Sequence, residues 1–334
     1  VAAPPVVSYV CPRCRGPLAE WPAAWACEKC RTSYPIVAGI PDFRVAPDPW
    51  IGLEEDRVKA LRLDERTREM DFEAAVREYW AITPSTPAPQ AERFVRHVLG
   101  AADRSRQWLA AADAEDGPAP DGPWLDLGCG TADLAAAAPP EVAVVGVDIA
   151  LRWLVVARKR PGALGPRRAL VCACAEALPF PDATFARALS LGMLEHAGDA
   201  QAAVAEARRI LRPRGVLRLR TLNRYTPLRE PHVNVWGVGF VPRRWADAYV
   251  RWRSGQRYLF HRPLSPRELA ATLRRAGLAR AEVAAARLLP AERTHLGRLA
   301  EPLAGLTDRL RRAPLARAAL AWTCHLLEAR GEAP

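Results

Sequence analysis

Three groups of residues in this 334-residue chain have the types and spacing to do chemistry. The first is Cys11-Pro-Arg-Cys14 followed by Cys27-Glu-Lys-Cys30, with 12 residues between the pairs. Each Cys-x-x-Cys makes a tight knuckle presenting two thiolates, and two knuckles complete a tetrahedral zinc site. Four protein ligands close the coordination sphere, so Cys11, Cys14, Cys27 and Cys30 are expected to hold a structural zinc, on which so small a module depends to fold. Disulfides are the alternative, disfavoured in a reducing compartment. The second group is Trp124-Leu-Asp-Leu-Gly-Cys-Gly-Thr131 with Val142-Ala-Val-Val-Gly-Val-Asp148. An apolar run ending in a glycine turn reads as a strand entering a nucleotide-binding loop. There Gly128 and Gly130, flanking Cys129, let the backbone lie against a ligand. Asp148, 22 residues after Asp126, closes the next apolar run. An acid there, with Ile149 beside it, can accept hydrogen bonds from ribose hydroxyls. The third group is Glu195-His196, whose imidazole titrates near neutrality and can take a proton from a hydroxyl or an activated carbon.

The glycine loop discriminates between adenosine cofactors. A nicotinamide fold wants Gly-x-Gly-x-x-Gly under a pyrophosphate, and the third glycine of that spacing is Asp133 here. A carboxylate aimed at a pyrophosphate repels it. Asp126, two residues before the first glycine, instead suits a cofactor with a cationic amino-acid tail. At this point the chain resembles the class I S-adenosylmethionine-dependent methyltransferases, in the type 11 branch, which carry Asp/Glu-x-Gly-x-Gly-x-Gly on the first strand. The pattern here is Asp126-x-Gly128-x-Gly130-x-Ala132. The resemblance continues through Cys174-Ala-Glu-Ala-Leu-Pro-Phe-Pro-Asp-Ala-Thr-Phe185, Ser190-Leu-Gly-Met-Leu-Glu-His196 and Ala207-Arg-Arg-Ile-Leu-Arg-Pro-Arg-Gly-Val-Leu217, covering about residues 122–222 in the family's order.

That resemblance implies cofactor contacts at Cys174, Ala175, Glu176 and Ser190 as well. The family's adenine-reading Asp is Cys174 here, a poor acceptor, so adenine would lean on backbone near Ala175 and on apolar packing. It also places His196 at the substrate-facing end of the fourth strand, and Asn223-Arg224-Tyr225 on the loop bordering the substrate pocket, with His232 and Trp236 in the same polar and aromatic cluster. Some RNA-terminus methyltransferases bind metal through Glu-x-x-Glu-His. The first Glu of that motif is Gly192 here, so no such metal is expected. The four-cysteine segment, with Tyr34-Pro-Ile-Val-Ala-Gly-Ile-Pro-Asp-Phe43, resembles the small zinc-ribbon partner subunits of RNA and protein methyltransferases.

The elements that must position these groups follow from periodicity. The expected fold is α/β, a Rossmann-like doubly wound sheet with an N-terminal zinc ribbon and a helical cap. Residues 1–45 are the ribbon. Residues 46–120 form a helical lid and linker, with helices over 54–80 and 90–114 separated by the breaker-rich 83–89. Residues 121–290 are the cofactor domain, with strands near 123–127, 142–148, 168–173, 184–190, 215–222 and 281–286 and an aromatic-rich insertion at 223–260. Ser265-Pro-Arg-Glu caps a further helix. Residues 291–334 read as a helical C-terminal tail, Leu/Ala/Arg-rich with an apolar face.

Composition bounds the setting. No apolar run approaches the roughly 20 residues of a membrane span, and no signal peptide is visible, so a cytoplasmic location is expected. The net charge is +11, unevenly spread: residues 207–334 hold 26 Arg and 9 acids, residues 1–206 hold 22 basic and 28 acidic groups. Three Lys against 45 Arg point to GC-rich codons, which explains the Arg type but not the asymmetry. A basic face favours an anionic partner such as nucleic acid, a phosphorylated metabolite or an anionic membrane surface. The leading expectation is methyl transfer to oxygen or carbon of a small molecule (a quinone, lipid-linked precursor or secondary metabolite). The alternatives are methylation of rRNA or tRNA gripped by the ribbon and the basic third, and a non-catalytic cofactor-binding module. No residue pattern sets the oligomeric state.

Overall fold

A computed structural model of the chain describes residues 6–83, 86–117, 121–293 and 300–334. Residues 84–85 of the breaker-rich segment, 118–120 of the linker and 294–299 of the expected tail lie outside the described residues, as do 1–5.

The N-terminal module is an antiparallel meander of Leu18–Trp21 (β1), Ala24–Cys27 (β2), Ser33–Val37 (β3) and Ile40–Pro41 (β4). Its two knuckles are built alike. Arg15 and Arg31, each directly after the second cysteine of a pair, take left-handed φ values of 57° and 62°. Their N–H groups return to the carbonyls of Cys11 and Cys27 at 2.7 and 3.0 Å. That turn folds the pair back on itself, so both thiols face one point. The module then docks on the main body through aromatic rings: Tyr9 lies 5.1 Å from Phe43 and 6.0 Å from Phe180 between ring centroids, and Phe43 and Phe180 are fully buried. Burying a ring of that size contributes about 1.5–3 kcal/mol. Backbone pairing adds to it, since the Phe43 N–H donates to the Cys172 carbonyl at 2.7 Å.

The main sheet runs in the order β12-β13-β9-β8-β5-β6-β7. Its parallel members are Trp124–Leu127 (β5), Val144–Asp148 (β6), Arg168–Cys172 (β7), Phe185–Leu191 (β8) and Leu211–Leu222 (β9). Their near-continuous burial is what a sheet covered on both faces demands. Asp133–Ala137 (α5) and Leu151–Ala157 (α6) cover one face; Ala200–Ile210 (α7) and Pro266–Arg275 (α9) cover the other. The α9 start carries the full reciprocal capping box of Ser265 and Glu268.

The expected all-helical tail is corrected. Ala300–Arg312 (α11) and Pro314–Thr323 (α12) are helices, but Leu326–Glu332 (β13) is a strand, antiparallel to both β9 and Ala279–Ala285 (β12). Alternate residues Leu327, Ala329 and Gly331 are buried, the period-2 pattern of a strand. Pro290–Arg293 (α10) joins β12 to this region.

The cap is Leu53–Arg66 (α1), Phe72–Ala81 (α2), Ala88–Leu99 (α3) and Ala101–Asp116 (α4). It does not act as one lid. Helix α1 packs on α6, while α3 and α4 face the cavity described below. The insertion after β9 holds a hairpin of Arg229–Glu230 (β10) and Val235–Trp236 (β11), then Arg243–Ser254 (α8). Its small core is Val233, Val235, Val238, Ala246, Val250 and Tyr258, and most of its other aromatics point to solvent.

Candidate active site

A cavity of about 1640 Å³ opens at the carboxyl ends of β5, β6 and β8, where open α/β sheets bind ligands. Gly128, Cys129 and Gly130 form its floor. Gly128 has φ 77°, and a Cβ there would lie 2.3 Å from the Met193 side chain. Gly130 has φ 48° and nothing within 4 Å of its Cβ direction, so its backbone faces open space. Ala132, where the resembled motif has its third glycine, is also left-handed at φ 56°, a conformation that costs an L-residue about 1–2 kcal/mol.

The acids divide into two kinds. Asp148 lines the cavity and accepts the Gly130 and Ala150 N–H groups, both at 2.8 Å, which ties the glycine loop to the end of β6. Burial raises its pKa above the ordinary carboxylate value against these bonds. Asp126 sits on β5 just behind the cavity wall, and its Oδ2 has no partner. Burial, then the neighbouring Asp133, holds its carboxyl well above the usual range. Ser190, on adjacent β8, likewise has an unpartnered hydroxyl. Buried polar atoms are rarely left unpaired; neither of these two expected cofactor contacts lines the cavity itself, and both lie behind it next to the glycine loop.

Ile149, Cys174, Ala175 and Glu176 also line the cavity. The Cys174 thiol is held against the Ala46 carbonyl at 3.5 Å, and burial raises its pKa. Residues 45–50, leaving the ribbon, therefore wall the cavity directly. Beneath them lies a buried ion network that sequence reading missed. Arg44 pairs with Asp42 at 2.8 Å and Asp56 at 2.6 Å, and Arg152 pairs with Asp56 and Asp48, both at 2.8 Å. Arg44 also donates to the Ile149 carbonyl, and the Leu151 N–H donates to Asp56. The network thus fixes the turn after Asp148 from the ribbon side. Its members are scattered over 110 residues, so no local spacing could reveal it.

At the other end of the cavity His196 meets His232 and His261, with ring centroids 4.1–5.0 Å apart. His232 Nδ1 contacts Glu230 Oε1 at 2.5 Å, and Glu195 accepts the Thr221 hydroxyl at 2.6 Å. Burial first, with His232 adding to it, lowers the pKa of His196 and takes His261 down to about 2. Leu222, Leu228, Leu288, Leu303 and Leu320 also line the cavity, together with Arg287 and the Arg220–Glu292 pair.

The expected substrate residues are only partly brought together. His232 lines the cavity. Asn223 does not: it is fully buried, and its amide donates to the Ala321 and Cys324 carbonyls, tying β9 to α12. Arg224 and Tyr225 line a separate depression with Arg243 and Glu268. Trp236 is 60% exposed and donates to the Pro227 carbonyl. The strand β13 displaces this loop from the cavity and brings residues 323–326 to its wall instead.

Residues 125–215 match the family described as "Methyltransferase domain". That segment runs from β5 into β9 and carries the glycine loop and Asp148. The chain is 31% identical over 169 residues to an uncharacterized 37.1 kDa protein of transposon TN4556 from Streptomyces fradiae, covering 49% of this chain and 44% of that one. It is 40% identical over 97 residues to a demethylmenaquinone methyltransferase of Thermus thermophilus, covering 28% and 44%. The chain thus spans less than half the length of these relatives. Among solved structures, a Thermotoga maritima protein described as a possible histamine N-methyltransferase is similar at 19% identity and a TM-score of 0.44, over 73% of this chain and 95% of that one.

The four cysteine thiols of the N-terminal module converge. Cys11 and Cys30 are 3.6 Å apart at sulfur, Cys14 and Cys27 3.5 Å, and all four lie within 4.8 Å of one another. No disulfide joins them, the described sulfurs being separate thiols.

Proposed function

We propose that this chain is an S-adenosylmethionine-dependent methyltransferase acting on oxygen or carbon of a small molecule with an apolar body. One observation carries the reading: a single cavity is lined by the glycine loop, by His196 and His232, and by a set of leucines. Its volume exceeds the roughly 300–1,000 Å³ typical of one ligand, so cofactor and acceptor fit end to end. The residues present suit the cofactor. Asp148 has lone pairs left for ribose hydroxyls, and the unpartnered Asp126 Oδ2 suits an ammonium. Gly130 offers an open backbone surface. Cys174 and residues 45–47 make a largely apolar adenine side.

When bound, S-adenosylmethionine supplies an electrophilic methyl on sulfur for in-line displacement. What the protein adds is chiefly position. Met193, packed against Gly128, and His196, three residues on, bring the acceptor end next to the loop. His196 lines the cavity, and its imidazole would receive a proton from the acceptor. The leucines beyond exclude water and take an isoprenoid-like or other apolar body, which fits the quinone-type acceptors of the type 11 branch. We further infer that Cys11, Cys14, Cys27 and Cys30 hold a structural zinc. Sulfur separations of 3.5–3.6 Å are near those of a tetrahedral site with Zn–S bonds of about 2.3 Å, and far from a disulfide's roughly 2.05 Å.

Transfer of labelled methyl from S-adenosylmethionine into fractions of a cell extract tests the reading. Label is expected in the organic-extractable small-molecule fraction. Label in RNA alone would replace it with the RNA reading; label in no fraction, with cofactor binding intact, would favour a binding module.

A further inference from the structure

We propose that His196, His232 and His261 form a divalent-metal site at the acceptor end of the cavity, with an open coordination position facing the methyl acceptor. The three rings arrive from separate segments: the 3₁₀ turn Leu194–His196 after β8, the loop after β10, and the strap leading to α9. One ring nitrogen from each lies within 4.8 Å of the others. Nitrogens bound at 2.0–2.1 Å around a tetrahedral zinc stand about 3.3 Å apart, so small ring rotations bring them onto one ion.

His232 is already set as a ligand. Its Nδ1 is engaged by Glu230 Oε1 at 2.5 Å, which leaves Nε2 free. A carboxylate on the far nitrogen is the usual support of a metal-bound histidine. Glu230 is itself fixed by the His232 and Val233 N–H groups at 2.9 and 3.0 Å. His261 Nδ1 is buried without any hydrogen-bond partner, an arrangement that costs free energy unless something else meets it. Trp50 and Tyr258 pack on the His261 ring, at 5.4 and 5.3 Å between centroids, and close the outer side. His196 and His232 both line the cavity, so the side left open faces the acceptor. Three protein ligands with one vacant position is the arrangement of catalytic rather than structural zinc sites. A set of three imidazoles takes zinc, cobalt, nickel or iron(II) in preference to magnesium or calcium.

The role of the ion rests on the methyl-transfer reading, although the site itself does not. An acceptor oxygen in the open position would lose its proton more readily as the ion stabilises the anion, making an oxygen nucleophile at neutral pH. The O–H bond would break with its proton passing to water, and His196 would serve as a ligand of the ion instead of taking that proton itself. This favours a phenol, enol or similar hydroxyl as acceptor over a carbon.

The test is titration of the full chain, as purified, with cobalt(II) chloride, followed by visible absorption. Wild type is expected to bind one equivalent through nitrogen and oxygen donors, without a thiolate-to-cobalt charge-transfer band. Exchange at the ribbon announces itself by that band and is counted separately. H232Q and H261Q should each lose the non-thiolate equivalent while still binding S-adenosylmethionine, which shows that they are folded. A wild type with no such equivalent, or an equivalent that survives both substitutions, overturns the proposal. Intact cofactor binding in that case leaves the methyl-transfer reading standing.

Discussion

Asp126 shows how one side chain can couple proton and cofactor. Its folded pKa lies above the unfolded value because burial and Asp133 disfavour the charge. Such a group contributes stability that is present below the unfolded pKa and lost as pH rises through the folded one. A bound ammonium reverses that penalty, so cofactor binding should release a proton and strengthen as pH rises. The thermal stabilisation by S-adenosylmethionine is expected to be larger at pH 8 than at pH 5.5; a shift that does not change with pH would rule the coupling out. Asp126→Asn should weaken cofactor binding by about 1.5–3 kcal/mol, the range for hydrogen bonds to charged groups, read by calorimetry, while leaving the chain folded. At this scale the sequence is most informative where residue type and spacing coincide: the two glycines, Asp148 and the four cysteines are all locally encoded. His232 was visible only as part of an aromatic-rich insertion, and His261 carried no signal, because what joins them to His196 is tertiary.

The strap between ribbon and cap is the element on which the cofactor side depends. Arg44 is fully buried between Asp42 and Asp56 and holds the Ile149 carbonyl. Arg44→Ala removes one of two arginine partners from each buried carboxylate, leaving Asp42 with Arg57 and Asp56 with Arg152; it should cost no more than about 3–5 kcal/mol, measured by chemical denaturation, and weaken cofactor binding with it. With zinc on the four cysteines, as proposed, chelation should have the second effect without touching a cofactor contact, because residues 45–50 then lose their anchor; unchanged affinity after verified metal loss would show the strap to be self-supporting. Strand β13 is the element that reading by pattern missed. Leu326-Leu-Glu-Ala-Arg-Gly-Glu332 alternates, but it follows a long Leu/Ala/Arg-rich stretch whose helical period dominates any wide window. Leu327, fully buried, is the position to probe. Leu327→Asp should destabilise by at least about 3 kcal/mol and reduce soluble expression.

Across the whole molecule the charge asymmetry partly cancels. Arg218 and Arg330 meet Asp116 at 2.6 and 2.7 Å, Arg218 and Arg287 meet Glu115 at 3.0 and 2.5 Å, and Arg187 meets Asp113 at 2.6 Å. Arg218, Arg287 and Arg330 of the basic third therefore close on the acidic end of α4, joined there by Arg187 from β8. Among the described residues of α8, Arg251 pairs with Asp247 at 4.0 Å, while Arg244 and Arg253 lie over the exposed Trp245 and Trp252 rings at 5.2 and 5.4 Å. Asp116 and Asp42 have pKa values below the ordinary one: burial opposes their charge, but the arginines outweigh it. Their contribution is present above the unfolded carboxylate pKa, about 3.9, and lost as pH falls through the lower folded values. Stability measured by denaturant is expected to hold from pH 7 down to about 5 and to drop below about 4. Sequence order conveyed the strand–helix alternation because parallel strands need crossovers. It did not convey these long-range pairings, which depend on which surfaces meet.

The insertion of residues 326–332 between β9 and β12 also sets the order of assembly during synthesis. Among the described residues, β12 has no partner in the sheet, and β9 has one open edge, until residues 326–332 have been synthesised. For that interval a nascent chain shows Leu217 and Leu219 on an unpaired edge, the kind of surface chaperones recognise. Slow decoding between codons 286 and 326 would prolong the exposure and lower soluble yield, whereas faster decoding of the same stretch would raise it.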